Sequence, residues 1–342
     1  MNTLVKIKDL SVSYFTYAGE VQSVRGVSFD VERGKTTAIV GESGCGKSVT
    51  SKTLLGLIEK PGVIKEGSQI LYEGKSILDF GEKEWLRFRG KECSMIFQDA
   101  LVSLNPTMTV GKQIMENLQN HNEDHLSLPQ IQERAQEMLD LVGIPDSKAC
   151  MGKYPHELSG GMRQRVMIAA ALITNPKLLI ADEPTTSLDV TIQAQILELM
   201  AELQKKMGMA IIMITHDLGV VADMADEIVV MYAGKIVEKG SSEDIFYHPQ
   251  HPYTWALMNS VPRLDLDNKK QLVTIEGSIP DMIHPPKGCA FCSRCPYAMN
   301  ICAEYEPEIT DLGNGHQAAC WLKDPRADVS GVPFQIGGVG HE

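Results

Sequence analysis

Apolar residues alternate with polar ones around Val5 and Ile7, and again at Val27, Phe29 and Val31, where Arg33-Gly34 closes the stretch. Such a period of two turns one face to a core and the other to solvent, and so predicts half-buried antiparallel strands. Farther along, the alternation gives way to continuous apolar runs at Thr37–Val40, Leu178–Ala181, Ile211–Ile214 and Ile228–Met231. These are strand-sized and predict strands buried on both faces, as in a parallel sheet covered by helices.

A period of 3.6 marks the helices. Asp189 is placed as an N-cap, Ile192, Ile196, Leu199 and Leu203 share one face, and Gly208 stands past the end. The segment of about 99–175 is rich in the same periodicity (Ile131, Ala135, Met138, Leu139, Val142, then Gly143) and poor in strand patterns. It predicts a helical insertion in an α/β core. Beyond about residue 260, prolines and glycines multiply and periodicity fades, which predicts a main domain over 1–260 and a separate small domain over 261–342.

Composition adds limits. The 342 residues are 43% hydrophobic, enough for a sizeable core, and carry a formal net charge of −12. No Lys/Arg run supplies the basic stripe that a phosphate backbone needs, so nucleic acid is not an expected partner. Met1–Lys6 lacks the basic-then-apolar pattern of a signal peptide, and no apolar stretch reaches membrane-spanning length, so a cytoplasmic chain is expected. Five of the eight cysteines, Cys289, Cys292, Cys295, Cys302 and Cys320, crowd the last sixth of the chain. In a reducing compartment that crowding favours metal over disulfides.

The chemistry is concentrated in three motifs. Gly41-Glu42-Ser43-Gly44-Cys45-Gly46-Lys47-Ser48 fits G-x-x-x-x-G-K-[ST] directly after an apolar strand and before a helical stretch reaching Leu57. Its glycines let backbone N–H groups encircle phosphates, the helix N-terminus adds positive potential, Lys47 reaches the β/γ oxygens and Ser48 ligates Mg²⁺. Leu178–Ala181 ends in Asp182 and Glu183, two carboxylates at the sheet edge where ligands bind in open α/β folds. Asp182 suits Mg²⁺, and Glu183 suits polarising an attacking water. The third motif is Leu158-Ser159-Gly160-Gly161-Met162-Arg163-Gln164-Arg165, in which Ser159 can cap a helix and the paired glycines expose N–H groups to an anion.

With this third motif in place, the chain resembles the ABC ATPase family. The resemblance implies a P-loop core with an antiparallel β subdomain and a helical subdomain, here with a cysteine-rich C-terminal domain. It also implies that Gln98 is the Q-loop glutamine and a Mg²⁺ neighbour, that Ser187-Leu188-Asp189 is the D-loop, that His216 is the switch histidine, and that Tyr14 stacks on adenine, with Tyr17 close enough to compete. Val49 completes the ATP-binding stretch. Two such subunits sandwich ATP in this family, so Ser159, Gly160 and Gly161 are expected to serve the partner's nucleotide.

Gln98–Pro106, Phe246 with Pro249-Gln250-His251-Pro252-Tyr253-Thr254, Ser260-Val261-Pro262, Gly277-Ser278-Ile279-Pro280, Pro285–Cys289 and Arg294-Cys295-Pro296 resemble one branch, the oligopeptide/dipeptide (and nickel) importers. Membership implies an ATPase of peptide uptake at the cytoplasmic face of the cell membrane. The implied partners are a paralogous ATPase subunit, two transmembrane permease subunits and an extracytoplasmic binding protein. Nickel or another small solute is the alternative cargo. A soluble ABC ATPase acting on nucleic acid would be expected to carry two modules or a long coiled coil with basic surfaces, and a P-loop kinase would lack Leu158–Arg165.

The spacing Cys289-x₂-Cys292-x₂-Cys295-x₆-Cys302-x₁₇-Cys320 admits either zinc or an iron–sulfur centre. The resemblance implies a [4Fe–4S] cluster on Cys289, Cys295, Cys302 and Cys320, with Cys292 as surplus or substitute. Cys45, at a helix N-terminus, is expected to have a lowered thiol pKa and to react with alkylating reagents, unless it is a small filler beyond their reach.

Overall fold

The computed structural model describes residues 2–98, 100–186, 188–260 and 275–332. Asp99, Ser187 and the Val261-Pro262 pair therefore lie outside the described residues. Among the described residues there are thirteen strands: β1 (Thr3–Thr16), β2 (Gly19–Glu32), β3 (Thr36–Val40), β4 (Gly62–Ile64), β5 (Gln69–Tyr72), β6 (Lys75–Ser76), β7 (Cys93–Ile96), β8 (Leu178–Asp182), β9 (Ala210–Thr215), β10 (Glu227–Tyr232), β11 (Lys235–Ser241), β12 (Thr310–Gly313) and β13 (His316–Ala318).

The alternating N-terminal stretches pair as the long antiparallel ribbon β1–β2, within a five-stranded sheet ordered β2-β1-β5-β6 with β4 also on β1. The continuous apolar runs form the centre of an eight-stranded sheet ordered β12-β13-β11-β10-β3-β9-β8-β7, parallel from β10 to β7. Their continuity has a direct cause: each face of this sheet packs on its own core. Ala38 and Val40, Leu179 and Ala181, and Ile211 and Met213 belong to one apolar cluster; Ile39, Leu178, Ile180 and Ile212 belong to the other.

The expected helical insertion is present as helices Val110–Asn120, Leu128–Leu141 and Gly160–Leu172. The helix read from Asp189 spans Val190–Met207: the Asp189 side chain accepts from the Ile192 N–H at 3.0 Å, and Gly208 closes it at φ 66°. The helix after the phosphate loop, Lys47–Leu54, stops earlier than expected because Gly56 turns left-handed at φ 61°.

The C-terminal segment differs from the expected separate domain. β13 pairs with β11, matching Glu238 with Ala318, so the β12–β13 hairpin extends the main sheet. Fully buried Glu238 accepts from the Gln250 and His251 N–H groups at 2.7 and 2.9 Å and is hydrogen-bonded to His316 Nε2 at 2.8 Å. Phe291, 1% exposed between two of the clustered cysteines, packs with Tyr232 and Tyr253 at ring-centroid distances of 5.2 and 5.3 Å. The Gln22 N–H also donates to the Met282 carbonyl at 2.9 Å. The physical reason is shared burial: a Pro-rich segment with little apolar periodicity of its own completes its core by using the face that the main sheet leaves open.

Because Phe291 sits in the principal core, Phe291→Ala is expected to cost about 3–5 kcal/mol of global stability. Denaturant unfolding followed by intrinsic fluorescence should show a single transition at lower midpoint; an early local step with the main transition unmoved would contradict this packing.

Candidate nucleotide site

The parallel register brings the ends of four strands to one edge. Val40 of β3 is level with Thr215 of β9, Asp182 of β8 with Ile214, and Ile96 of β7 with Ala181. The residues that follow these ends, Gly41, Glu183, Gln98 and His216, therefore converge although up to 175 positions separate them in the chain. Between them lies a cavity of about 350 Å³ lined by Ser23, Ser43, Gly44, Gly46, Lys47, Ser48, Val49, Gln98 and Glu183.

The phosphate loop is tightly seated. A Cβ on Gly41 would stand 2.2 Å from the Met231 carbonyl oxygen, and one on Gly46 2.4 Å from that of Ser23, with φ at 155° and 97°. Glycine is required at both positions because backbone and side chain compete for the same space. Lys47, 4% exposed, donates from Nζ to the Gly41 and Glu42 carbonyls at 2.6 and 3.0 Å. Ser48 Oγ donates to Asp182 Oδ1 at 3.0 Å. Burial raises the Asp182 carboxyl pKa, with the Ser48 hydrogen bond working against it.

Glu183 leaves β8 at φ 47°, a left-handed conformation held by its N–H donating to the Ile214 carbonyl at 2.9 Å. Its Oε2 accepts from Gln98 Nε2 at 2.7 Å and Thr186 Oγ1 at 3.0 Å, and its Oε1 lies 3.1 Å from His216 Nδ1. Burial would raise this carboxyl, but the His216 and Thr186 hydrogen bonds outweigh it and hold Glu183 below its ordinary value. The group is thus ionised in an assembled network. Thr186 and Ser23 escaped the reading of the sequence, since neither belongs to a motif quoted there.

Other expected residues lie elsewhere. Ser159 caps the helix Gly160–Leu172, accepting from the Met162 N–H at 3.3 Å. Ser159, Gly160 and Gly161 do not line the cavity; Gly161 packs against Ile192, where a Cβ would stand 2.9 Å from Cγ2. Asp189 acts as a cap. Tyr14 is half-buried against Gly62 and the second apolar cluster, outside the cavity lining, while Tyr17 is fully exposed.

Of the two readings of Cys45, the structure favours the small filler beyond reagent reach. Cys45 is 0% exposed, and burial raises its pKa although Lys47 Nζ lies 4.0 Å from Sγ. Desolvation of the thiolate exceeds the favourable field of the helix end and the ammonium.

The clustered cysteines interact. Burial, helped by the neighbouring sulfurs, pushes Cys289 up to about 11 and Cys295 and Cys320 up to about 12. Cys320 feels Cys289, Cys295 and Cys302, and the Cys289 N–H donates to the Cys302 carbonyl at 2.8 Å. Cys292 is the least buried of this interacting set, its thiol also raised by burial. Among the described residues, no group of three or more His, Cys, Asp and Glu forms a set that could hold a metal ion, so the cage expected from the spacing is absent from these side-chain positions. The thiols that such a centre would need are present, but these side-chain positions do not gather them round one point.

Cys45 should resist a water-soluble maleimide in the native chain and become fully labelled on unfolding, read by peptide mass spectrometry. Rapid native labelling, blocked by ATP, would restore the reactive-thiol expectation.

Comparison with known proteins fits this geometry. The ABC transporter family model matches residues 24–186, and that of the oligopeptide/dipeptide transporter C-terminal region matches 237–302. The chain is 55% identical to the oligopeptide transport ATP-binding protein OppD of Bacillus subtilis, over 95% of this chain and 90% of that one. It is 53% identical to the dipeptide transport ATP-binding protein DppD of Lactococcus lactis, over 95% and 92%. Among solved structures, a dimeric ATP-binding cassette in a post-hydrolysis state with ADP and Pi aligns with a TM-score of 0.63 at 25% identity, covering 70% of this chain and 98% of that one. CbiO1 of Clostridium perfringens aligns with a TM-score of 0.62 at 29% identity, covering 72% and 91%. No described helix is long and apolar enough to cross a membrane. Phosphate loop, strand-end acids, capped Ser-Gly-Gly helix and relatives all agree, and the chain belongs to the ABC transporter ATPases, in the branch of the oligopeptide and dipeptide transport ATP-binding proteins.

Proposed function

We propose that this chain binds and hydrolyses ATP to power uptake of di- and oligopeptides through permease subunits, docked at the cytoplasmic face of the cell membrane. The observation that carries the chemistry is Glu183, an ionised carboxylate facing the phosphate loop across the cavity. The names of the relatives, oligopeptide and dipeptide transport ATP-binding proteins, support the cargo.

In this reading the loop N–H groups and Lys47 bind the β- and γ-phosphates. Ser48, Asp182 and Gln98 would hold Mg²⁺, which neutralises charge on the phosphate oxygens when bound. Glu183 Oε2 already accepts two hydrogen bonds, filling both its lone pairs, while Oε1 accepts one from His216 and keeps one lone pair for a proton of the attacking water. His216 orients that carboxylate. Ser159, Gly160 and Gly161, standing away from this cavity, would complete the site of a paralogous ATPase subunit, whose own signature closes this one. Two transmembrane permeases and an extracytoplasmic peptide-binding protein would complete the importer.

The cysteine segment, in the same proposal, holds a [4Fe–4S] centre on Cys289, Cys295, Cys302 and Cys320, with Cys292 spare. The centre would act as a cross-link in a segment poor in apolar periodicity. Anaerobically purified protein should contain about four irons with matching sulfide and a broad visible band; colourless protein carrying one zinc would replace the assignment with a zinc site.

Glu183→Gln keeps the shape of the side chain and removes the base, so turnover in the assembled transporter should fall by about 10²–10⁴ while ATP binding persists. Phosphate release and equilibrium dialysis with ATP measure the two quantities. Near wild-type hydrolysis by this variant would remove Glu183 from the role.

A further inference from the structure

Arg294 lies between Cys292 and Cys295, yet its guanidinium reaches the phosphate loop. Nη1 donates to Glu42 Oε2 at 2.6 Å and Nη2 to Glu42 Oε1 at 3.0 Å, a bidentate pair across 252 positions of sequence. Its remaining donors are also used: Nε on the Glu276 carbonyl at 2.9 Å, Nη1 on the Tyr232 hydroxyl at 3.3 Å, and Nη2 on the Ile275 carbonyl at 3.0 Å. All five guanidinium N–H groups thus have acceptors, and the side chain is 4% exposed. An arginine so saturated has one orientation, and it fixes whatever it holds.

What it holds is the second residue of the loop. The Glu42 carbonyl accepts from Lys47 Nζ, and the Glu42 N–H donates to the Tyr253 hydroxyl at 2.8 Å. Tyr253 and Tyr232 in turn pack on each other at 4.7 Å and on Phe291. The start of the loop is therefore gripped by its carboxylate and its N–H from outside the nucleotide cavity. Neither Arg294 nor Glu42 lines that cavity, so the pair acts on the phosphates only through loop geometry.

We infer that Arg294 is a positioning residue for the phosphate loop: through its fork on Glu42, the C-terminal cysteine segment sets the loop conformation that binds MgATP. The inference rests on the nucleotide-binding reading of the cavity. It makes the C-terminal segment part of the ATP site rather than an appendage to it. The loop grips phosphate in the ground and transition states alike, so the loss of its support reads mainly as weaker binding and less as slower chemistry.

The test uses the assembled transporter for kinetics and the full chain for titration with a fluorescent ATP analogue in Mg²⁺. Arg294→Ala and Glu42→Gln should each raise Kd and KM about tenfold, the size typical of losing an outer support to a binding group, with kcat changed by less than about threefold. Arg294→Lys, which keeps the charge without the fork, should recover only part of the loss. Glu42→Gln/Arg294→Ala should be no worse than the more severe single variant, because both remove one interaction. Glu42→Gln is nearly isosteric and leaves Arg294 its other acceptors, so it carries the test if Arg294→Ala fails to fold. Wild-type Kd in folded Glu42→Gln, or additive effects in the double variant, would overturn the positioning role. A wild-type chain that fails to bind MgATP at all would instead remove the nucleotide reading beneath it.

Discussion

Everything at this site depends on the register of four parallel strands. A strand ends where its ladder ends, and here β3, β8 and β9 end within one residue of each other, with β7 alongside. Backbone hydrogen bonding therefore does the work of bringing together residues with no local relationship. A slip of one residue in β8 would exchange its two faces between the two cores, and would turn Asp182 away from Ser48. The double-sided core makes that slip prohibitive, so the geometry of the acids is set by the packing of Leu178–Ala181 on both sides. The left-handed turn at Glu183 costs on the order of 1–3 kcal/mol, and it persists because the Glu183 N–H continues the ladder to Ile214 while three side chains hold its carboxylate.

A second layer of support comes from the end of the chain. The phosphate loop leaves β3 beneath β10, whose Met231 carbonyl blocks any side chain at Gly41 and whose Tyr232 stacks into the aromatic cluster with Tyr253 and Phe291. The family model for the C-terminal region begins at residue 237, within β11, ahead of the boundary that composition suggests. That earlier start agrees with the structure, because β11 is the strand on which the C-terminal hairpin docks.

Legibility in the sequence followed the reach of each signal. The central strands, the helix from Asp189 to Gly208 and the phosphate loop were readable because their periodicity, caps and glycines are contained within a few consecutive residues. The hairpins β5–β6 and β12–β13, at two to four residues per strand, are too short to show a period, although Glu73-Gly74 and Asn314-Gly315 adopt the paired left-handed turn that tight hairpins favour. Position at a helix end leaves Cys45 open between a reactive thiol and a buried filler, because burial is a property of the folded neighbourhood. Glu42 and Arg294 each stand in a legible motif, but their pairing is not readable from either, since they meet only after the sheet and the C-terminal segment have assembled.

Lys47 shows how the loop accommodates its own charge. Its ammonium is buried, and an unpaired buried charge would cost several kcal/mol; the loop's own Gly41 and Glu42 carbonyls accept from it instead. Neutral carbonyls are weaker partners than phosphate oxygens, since charge-assisted hydrogen bonds are roughly twice as strong as neutral ones. A phosphate oxygen is therefore the stronger acceptor for the Lys47 ammonium. The loop is braced from behind: Arg294 and Tyr253 hold Glu42 by its carboxylate and N–H, and the Met231 carbonyl closes the space beside Gly41, so the two carbonyls around Lys47 belong to positioned residues.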